Sequence, residues 1–128
     1  MGRVGKILAC FLFFATLGFG CEIKWENSKE TAKKKANISK KQIMVYVTSP
    51  TCPYCTMMSE TTFSDEEVCV AVNEKFIPLI AIAGGSEVPK KAKLEGVPTV
   101  LFIDKNEKET KIPVIGLKYK DEFLQELK

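Results

Sequence analysis

The chain has 128 residues, of which 19 are lysine or arginine and 16 are aspartate or glutamate, so its formal net charge is +3. Removing Arg3 and Lys6 with an N-terminal signal leaves 17 basic and 16 acidic residues, a net charge of +1. This balance argues against nucleic acid as a partner, because nucleic-acid binding relies on a strongly basic surface. The remaining length is enough for one small domain and no more.

An export signal is predicted for residues 1–20. Arg3 and Lys6 make the start of the chain basic, and an apolar stretch of thirteen residues follows at 7–19. This stretch is shorter than a membrane-spanning helix requires, and glycines supply the small residues of a cleavage region. The pattern predicts a protein located in the periplasm or otherwise outside the cytoplasm.

Cys21 directly follows the predicted cleavage region. Signals that are cut just before a cysteine resemble bacterial lipoprotein signals, whose new N-terminal cysteine carries a lipid. The match is partial, because Leu17 lies four rather than three residues before Cys21 and Phe19 is bulky. Lipidation of Cys21, and with it a membrane tether, is predicted alongside two alternatives, ordinary cleavage and an uncleaved anchor.

Residues 21–41 are predicted to form a lysine-rich tether or N-terminal helix. Seven lysines and three glutamates occur in residues 22–41. We interpret this charge as the surface of a solvated helix or tether that lifts the domain off a membrane, in preference to a specific docking patch.

Residues 42–128 alternate between strand and helix patterns and are predicted to form the domain. Strands are predicted at 42–48, 76–83, 98–103 and 111–115, helices at 53–61, 65–75, 88–94 and 119–127, and a hairpin turn at 104–107. A capping-box sequence from Ser64 to Glu67 marks the second helix, and Gly96 stops the third. This order predicts an α/β fold with a mixed four-stranded sheet covered by helices on both faces.

Cys52 and Cys55 are separated by two residues where the first predicted strand gives way to a helix. The first turn of a helix brings such cysteines within the roughly 7 Å between Cα atoms that a disulfide requires. A sulfur at the helix start faces unpaired N–H groups and the positive end of the helix dipole, which favour a thiolate. Cys52 is therefore predicted to be the attacking thiolate, and the more buried Cys55 the resolving thiol. Pro53 suits the first helical position.

These motifs, in this order of strands and helices, resemble the thioredoxin superfamily over residues 42–128. The resemblance rests on CPYC at 52–55 and GVPT at 96–99. TFSDEEV at 62–68 and NEKFIP at 73–78 are similar to its secreted bacterial thioredoxin-like branch. The resemblance implies a thiol:disulfide oxidoreductase that needs no separate cofactor, because its redox group is the cysteine pair itself.

The resemblance also implies a substrate-binding step beside the cysteines. Pro98 is expected to be a cis-proline next to the pair, with an ordinary strand-start proline as the alternative. The backbone of Val97 is expected to pair with an extended client segment, and Thr99 is assigned to the same step. Pro53 and Tyr54 are expected to support the active site.

Three features depart from the thioredoxin pattern. Thr51 stands where thioredoxins place tryptophan, and the chain's only tryptophan, Trp25, lies in the predicted tether. Tyr46 stands where they keep a buried acid that takes the proton of the resolving thiol, and the chain has no histidine. The base for Cys55 is left open among water, a carboxylate or lysine, and the departing thiolate.

Cys69, Met57 and Met58 receive structural interpretations in preference to metal binding. Cys69 is expected to be a small buried hydrophobe, with pairing to another cysteine or a third redox thiol as alternatives. Copper needs soft ligands clustered in space, and zinc needs a second cysteine pair or histidines. No metal site is therefore predicted.

The predicted function is exchange of a Cys52–Cys55 disulfide or dithiol with cysteines of other extracytoplasmic proteins. The reductive direction is favoured, with an inner-membrane electron donor as a second partner. Oxidising and isomerising relatives usually carry a larger insertion or a dimerisation domain, and the 42 residues between Cys55 and Pro98 leave no room for one. The alternative is a non-catalytic thioredoxin-fold module for binding or assembly, in which the disulfide is structural.

Overall fold

The computed structural model describes residues 20–128. Its elements, in chain order, are α1 Lys29–Ser39, β1 Gln42–Thr48, α2 Pro53–Glu60, α3 Glu66–Lys75, β2 Phe76–Ile82, β3 Thr99–Ile103, β4 Val114–Ile115 and α4 Lys120–Glu126. The export signal predicted at 1–20 lies outside the described residues apart from Gly20. Within residues 20–128, no helix has the length and apolar character needed to cross a membrane.

The four strands form one mixed sheet in the order β2-β1-β3-β4. β1 pairs with β2 in parallel and with β3 in antiparallel orientation, and β4 adds two antiparallel residue pairs to β3. β1 is covered on both faces, which is why residues 43–47 are buried without alternation. The predicted mixed four-stranded sheet with helices on both faces is confirmed.

Successive residues of β1 point into two hydrophobic layers on opposite faces of the sheet. The layer that contains residues of α2, α3 and α4 includes Met44, Tyr46, Met58, Phe63, Val72 and Phe123. The layer beneath α1 includes Ala32, Ala36, Ile43, Val45, Val47, Leu79 and Leu101. Residues of β1, the strand that leads into Cys52, are therefore packed in both layers.

The lysine-rich segment is part of the folded domain rather than a free tether. Ala32 and Ala36 of α1 are buried in the same layer as β1 and β2. Ahead of the helix, the Glu26 N–H donates to the Pro78 carbonyl at 2.8 Å, and the Glu26 carbonyl accepts from the Ile80 N–H at 3.0 Å. The segment thus runs along edge strand β2, and the folded unit begins well before the predicted boundary at 42.

Two predicted elements differ from the structure. The helix expected at 88–94 does not form: one turn at 90–91 is closed by a hydrogen bond from the Ala92 N–H to the Pro89 carbonyl at 3.1 Å, and residues 92–94 are irregular. Proline disfavours helical conformation in the residue before it, so a helix cannot include Val88, and the six residues that remain at 89–94 are too few to form a stable helix by themselves. The expected strand at 111–115 is reduced to β4, because Pro113 cannot donate to a strand ladder.

Helix α3 is capped one residue later than the predicted capping box would place it. The N-cap residue is Asp65, whose carboxylate accepts from the Val68 N–H at 3.1 Å. That N–H, with help from Lys120, holds the pKa of Asp65 below its ordinary value. Ser64, the expected cap, instead donates to the Glu60 carbonyl at the end of α2.

An ion-pair cluster fastens α1 to the hairpin turn after β3. The Glu107 carboxylate lies 3.1 Å from Lys29 Nζ and 3.0 Å from Lys33 Nζ. Lys29 is buried, and its backbone N–H donates to Glu87. Desolvation acts to raise the pKa of Glu107, but hydrogen bonds from Lys33 and Lys29 outweigh it and hold that pKa below its ordinary value.

We expect Glu107→Gln to lower stability at neutral pH by about 1–3 kcal/mol, because buried Lys29 and partly buried Lys33 lose their carboxylate partner. A carboxylate whose pKa is lowered by folding stabilises the fold at pH values above its ordinary pKa of 4.5. This contribution is lost as the pH falls through the pKa that the group has in the folded protein. Urea unfolding measured from neutral pH down to about pH 3 should therefore show that acid lowers the free energy of unfolding less in the variant than in the parent protein.

The control for this prediction is Glu95→Gln, at an exposed residue that makes no ion pair within residues 20–128. This change should leave the dependence of stability on pH as it is in the parent protein. An acid-induced loss of the same size in Glu107→Gln and in the parent would contradict the assignment.

Candidate active site

The cysteine pair lies at the N-terminal end of α2, directly after the turn that follows β1. Cys52 is the N-cap residue, Pro53 is the first helical residue, and the Cys55 N–H points at Cys52 Sγ at 3.1 Å. The Cα atoms of the two cysteines are 5.2 Å apart, and their sulfurs are joined in a disulfide. In the reduced protein the same N–H is placed to donate to a Cys52 thiolate, which favours the ionised form.

The two cysteines differ in exposure. Cys52 is partly exposed and its neighbours Thr51 and Pro53 are exposed, whereas Cys55 has only 1% of its surface exposed. Tyr54 between them is 61% exposed, so a large aromatic side chain projects into solvent beside the pair. A sulfur of another protein can therefore reach Cys52, while Cys55 is shielded.

The loop before β3 lies against the cysteine pair. The Val97–Pro98 peptide bond is cis, and the Val97 carbonyl oxygen is 3.7 Å from Cys52 Sγ. The Pro98 carbonyl accepts a hydrogen bond from the Gly116 N–H at 2.8 Å, which fastens the loop to the chain after β4. Thr99 is buried, and its hydroxyl donates at 2.7 Å to the carbonyl three residues earlier. The structure thus brings the Val97–Pro98 peptide to Cys52. Thr99 is buried and stabilises the loop through its hydrogen bond.

The main chain of Val97 is open to an additional partner. Within residues 20–128, neither its N–H nor its carbonyl makes a backbone hydrogen bond. The residue is partly exposed, and Pro98 beside it has no N–H. An extended segment of another protein can therefore pair with Val97 by strand addition.

Tyr46, on β1, contacts the cysteine pair from the sheet side. Its hydroxyl donates to the Cys55 carbonyl at 2.9 Å and lies 3.4 Å from Ser59 Oγ. The side chain has no exposed surface. From the sequence, Tyr46 was recognised only as the replacement of an acid, and this hydrogen bond was not predicted. The available signal was a tyrosine within a buried strand, because a buried hydroxyl usually has a hydrogen-bond partner.

A second disulfide joins Cys21 to Cys69, which are 48 residues apart in the sequence. Cys69 is fully buried, as expected, but it is paired, so the preferred interpretation as an unpaired hydrophobe is wrong and the alternative applies. The bond uses the Cys21 sulfur to which a lipid would be attached, so the disulfide and lipidation exclude each other. Lipidation of Cys21 stays a prediction, and this bond opposes it.

Asn73, one helical turn after Cys69, holds the same N-terminal segment through its side-chain amide. Its Nδ2 donates to the Glu22 carbonyl at 2.9 Å, and its Oδ1 accepts from the Lys24 N–H at 3.0 Å. The amide thus bonds to the segment in both directions, next to the disulfide. Nothing in the local sequence pattern of either partner indicated these contacts.

Trp25 lies at the end of this held segment and contacts the side chain beneath the cysteine pair. Its ring centroid is 5.7 Å from that of Tyr46 and 5.2 Å from that of Phe63. Trp25, predicted to lie in a tether, therefore packs against the hydrophobic layer next to the candidate site.

The sheet order, the helices on both faces and the cysteine pair at a helix start define a thioredoxin-like protein. Residues 29–128 match the family model of the thioredoxin-like domain, and the chain belongs to that family. The resemblance to the thioredoxin superfamily is thereby confirmed. The match begins at α1, in agreement with the packing of that helix on the sheet.

Several solved structures share this fold. A thioredoxin from Thermus thermophilus is 26% identical with a TM-score of 0.71, covering 83% of this chain and 85% of that chain. A putative disulphide-isomerase from Bacteroides thetaiotaomicron is 25% identical with a TM-score of 0.70, covering 83% and 90%. A DsbH oxidoreductase has a TM-score of 0.72, covering 83% of this chain and 82% of that chain. Because the two are only 16% identical, this likeness shows the fold alone. No curated protein sequence gives a significant match.

Proposed function

We propose that the protein is an exported thiol:disulfide oxidoreductase whose working group is the Cys52–Cys55 pair. One observation carries this proposal: Cys52 is a partly exposed sulfur at a helix N-cap, 3.7 Å from the Val97 carbonyl, while Cys55 is buried. Disulfide exchange needs an accessible nucleophile, a shielded second thiol and a surface that holds the client, and these three are adjacent here. Similarity to a thioredoxin and to a putative disulphide-isomerase supports the same class.

In the reductive direction the Cys52 thiolate attacks one sulfur of a client disulfide. The bond between Cys52 and the client forms, the client S–S bond breaks, and the released client thiolate takes a proton from solvent. The Cys55 thiol then loses its proton and attacks Cys52 Sγ, which forms the Cys52–Cys55 disulfide and expels the second client thiolate. Two electrons pass from the cysteine pair to the client.

Neighbouring residues position the client and the helix in this scheme. The free main chain of Val97 pairs with an extended client segment, and Pro98 shapes the loop so that this segment passes beside Cys52. Pro53 starts the helix that presents Cys52, and exposed Tyr54 offers an apolar surface to the client.

The proposed location is the periplasm or another extracytoplasmic compartment, on the basis of the export signal predicted at 1–20. The proposed partners are client proteins with cysteine pairs and an inner-membrane donor that returns electrons to the oxidised pair. We favour the reductive direction because the stretch between Cys55 and Pro98 has only 42 residues. A reduction potential below about −250 mV, measured by equilibration with a reference thiol, supports a reductase, and one above about −150 mV indicates an oxidant.

Cys55→Ala should trap clients, because a mixed disulfide through Cys52 then has no resolving thiol. The reduced variant is mixed with insulin as a defined disulfide substrate, quenched with acid, and analysed on non-reducing gels and by peptide mass mapping. We expect accumulation of an adduct that maps to Cys52 and disappears on reduction, whereas the parent protein should resolve its adducts and accumulate almost none.

The matched control combines Cys52→Ala with Cys55→Ala and retains the Cys21–Cys69 bond. This protein should form no adduct at all. If Cys55→Ala alone also forms none while its circular dichroism spectrum matches that of the parent protein, the chain is instead a thioredoxin-fold module for binding or assembly, and its disulfide is structural.

A further inference from the structure

The hydroxyl group of Tyr46 reaches from the sheet to the residue that is proposed to resolve mixed disulfides. It donates to the Cys55 carbonyl at 2.9 Å. In an α-helix this carbonyl also faces the N–H group four residues further along, so the hydroxyl is an additional donor that the helix does not need in order to form. Helix formation therefore does not account for this hydrogen bond, and another role must be considered.

The ring that carries this hydroxyl is held in one place. Tyr46 has no exposed surface, and its ring centroid is 4.7 Å from that of Phe63 and 5.7 Å from that of Trp25. Across the sheet it lies in register with Ile80 on one side and Val100 on the other. A ring enclosed in this way has little rotational freedom, so the position of its hydroxyl is fixed as well.

Trp25, one wall of this enclosure, is itself held by the N-terminal segment. The Cys21–Cys69 disulfide and the two hydrogen bonds of Asn73 anchor that segment just before Trp25. A continuous set of contacts thus runs from the second disulfide through Trp25 to Tyr46 and on to the main chain of Cys55.

We propose that Tyr46 is a positioning residue for Cys55. By holding the Cys55 carbonyl, its hydroxyl fixes the first turn of α2, and with it the direction in which Cys55 Sγ faces Cys52 Sγ. The inference rests on the proposed function, because it concerns the resolving step. In that step Cys55 gives its proton to solvent and bonds to Cys52 Sγ, while the bond between Cys52 and the client breaks and the electron pair leaves on the client sulfur. A loosened first turn lowers the effective concentration of Cys55 at Cys52.

The test is Tyr46→Phe, which removes only the hydroxyl oxygen. We expect the mixed disulfide between Cys52 and glutathione to be resolved between about three- and tenfold more slowly, which is the range that one hydrogen bond accounts for. The equilibrium constant for closing the Cys52–Cys55 disulfide should fall by a similar factor, which raises the reduction potential by about 14 to 30 mV. The rate at which reduced Cys52 first attacks oxidised glutathione should fall less than the resolution rate, because the Cys55 thiol takes no part in that step and Cys55 acts there only through its N–H beside Cys52 Sγ.

Tyr119→Phe is the matched control, since it removes a hydroxyl from a half-exposed ring that makes no capping bond at α4. It should leave the resolution rate and the potential unchanged. The proposal is overturned if Tyr46→Phe leaves the resolution rate and the reduction potential unchanged. An equal loss of thermal stability in the oxidised and reduced forms, with the rate and the potential unchanged, would show that the role of Tyr46 is only structural. A failure of the proposed function itself appears separately, as the absence of an adduct in Cys55→Ala protein that retains Tyr46.

A measurement on the unmutated protein covers the case in which Tyr46→Phe does not fold. The Tyr46 hydroxyl proton, as a donor in a buried hydrogen bond, should exchange slowly with water and give a resolved signal in the nuclear magnetic resonance spectrum of the oxidised protein. Rapid exchange of this proton would show that the bond to Cys55 does not persist, and would overturn the proposal.

Discussion

Removal of the Cys21–Cys69 disulfide should lower the free energy of unfolding by about 4 kcal/mol, since the bond restricts the unfolded chain over a separation of 48 residues. The variant combines Cys21→Ser with Cys69→Ala. Both cysteines are replaced because a single remaining thiol is free to form wrong disulfides, and alanine suits the buried position of Cys69. Urea unfolding of the variant and of the parent protein, both with the Cys52–Cys55 pair oxidised, measures the difference.

The control removes the other disulfide by Cys52→Ser with Cys55→Ala. Its cysteines are only three residues apart, so the same chain-entropy estimate gives a loss below about 2 kcal/mol. Peptide mass mapping without reduction should first show Cys21 linked to Cys69. A stability loss no larger than that of the control would contradict the prediction, and a lipid mass on Cys21 would show that lipidation displaces the bond.

Phe63→Ala should lower the free energy of unfolding by about 3–5 kcal/mol, because it empties the centre of an aromatic cluster. The Phe63 ring lies with its centroid 5.2 Å from Trp25, 4.7 Å from Tyr46 and 5.3 Å from Phe123, each in an edge contact. These three rings belong to the N-terminal segment, β1 and α4. Truncation therefore opens a cavity at the point where three parts of the chain meet, and thermal or urea unfolding records the loss.

Ile112→Ala provides the comparison for this prediction, since it truncates a large apolar side chain that is 86% exposed. Its effect on stability should stay within about 0.5 kcal/mol of zero. If Phe63→Ala shifts the unfolding midpoint no further than Ile112→Ala does, the aromatic cluster does not join these segments as described.

The part of the fold that presents Cys52 follows from local sequence patterns. An unbroken apolar run predicts β1, and the proline after Cys52 predicts the start of α2, because both signals act over a few neighbouring residues. The approach of Val97 and Pro98 to the pair is a long-range contact, and only the resemblance to a known superfamily indicated it.

The N-terminal segment was harder to predict because its contacts are tertiary. Spacing alone does not determine which cysteines pair, so pairing of Cys69 with another cysteine was only an alternative, and Cys21 was not identified as its partner. Seven lysines dominated the composition of residues 22–41 and obscured the narrow apolar stripe formed by Ala32 and Ala36. Trp25 lies outside any helix or strand, so no periodicity indicated that it packs against the core.

The strand that leads to the cysteine pair is bonded along both edges and covered on both sides. Tilting the turn at Cys52 relative to the loop at Pro98 would require β1 to shear through two close-packed layers at once. The Cys52 sulfur therefore follows directly on a strand that is hydrogen-bonded on both edges and packed on both faces. Under the proposed function, substitutions in the exposed loops around the site would leave Cys52 and the Pro98 loop aligned.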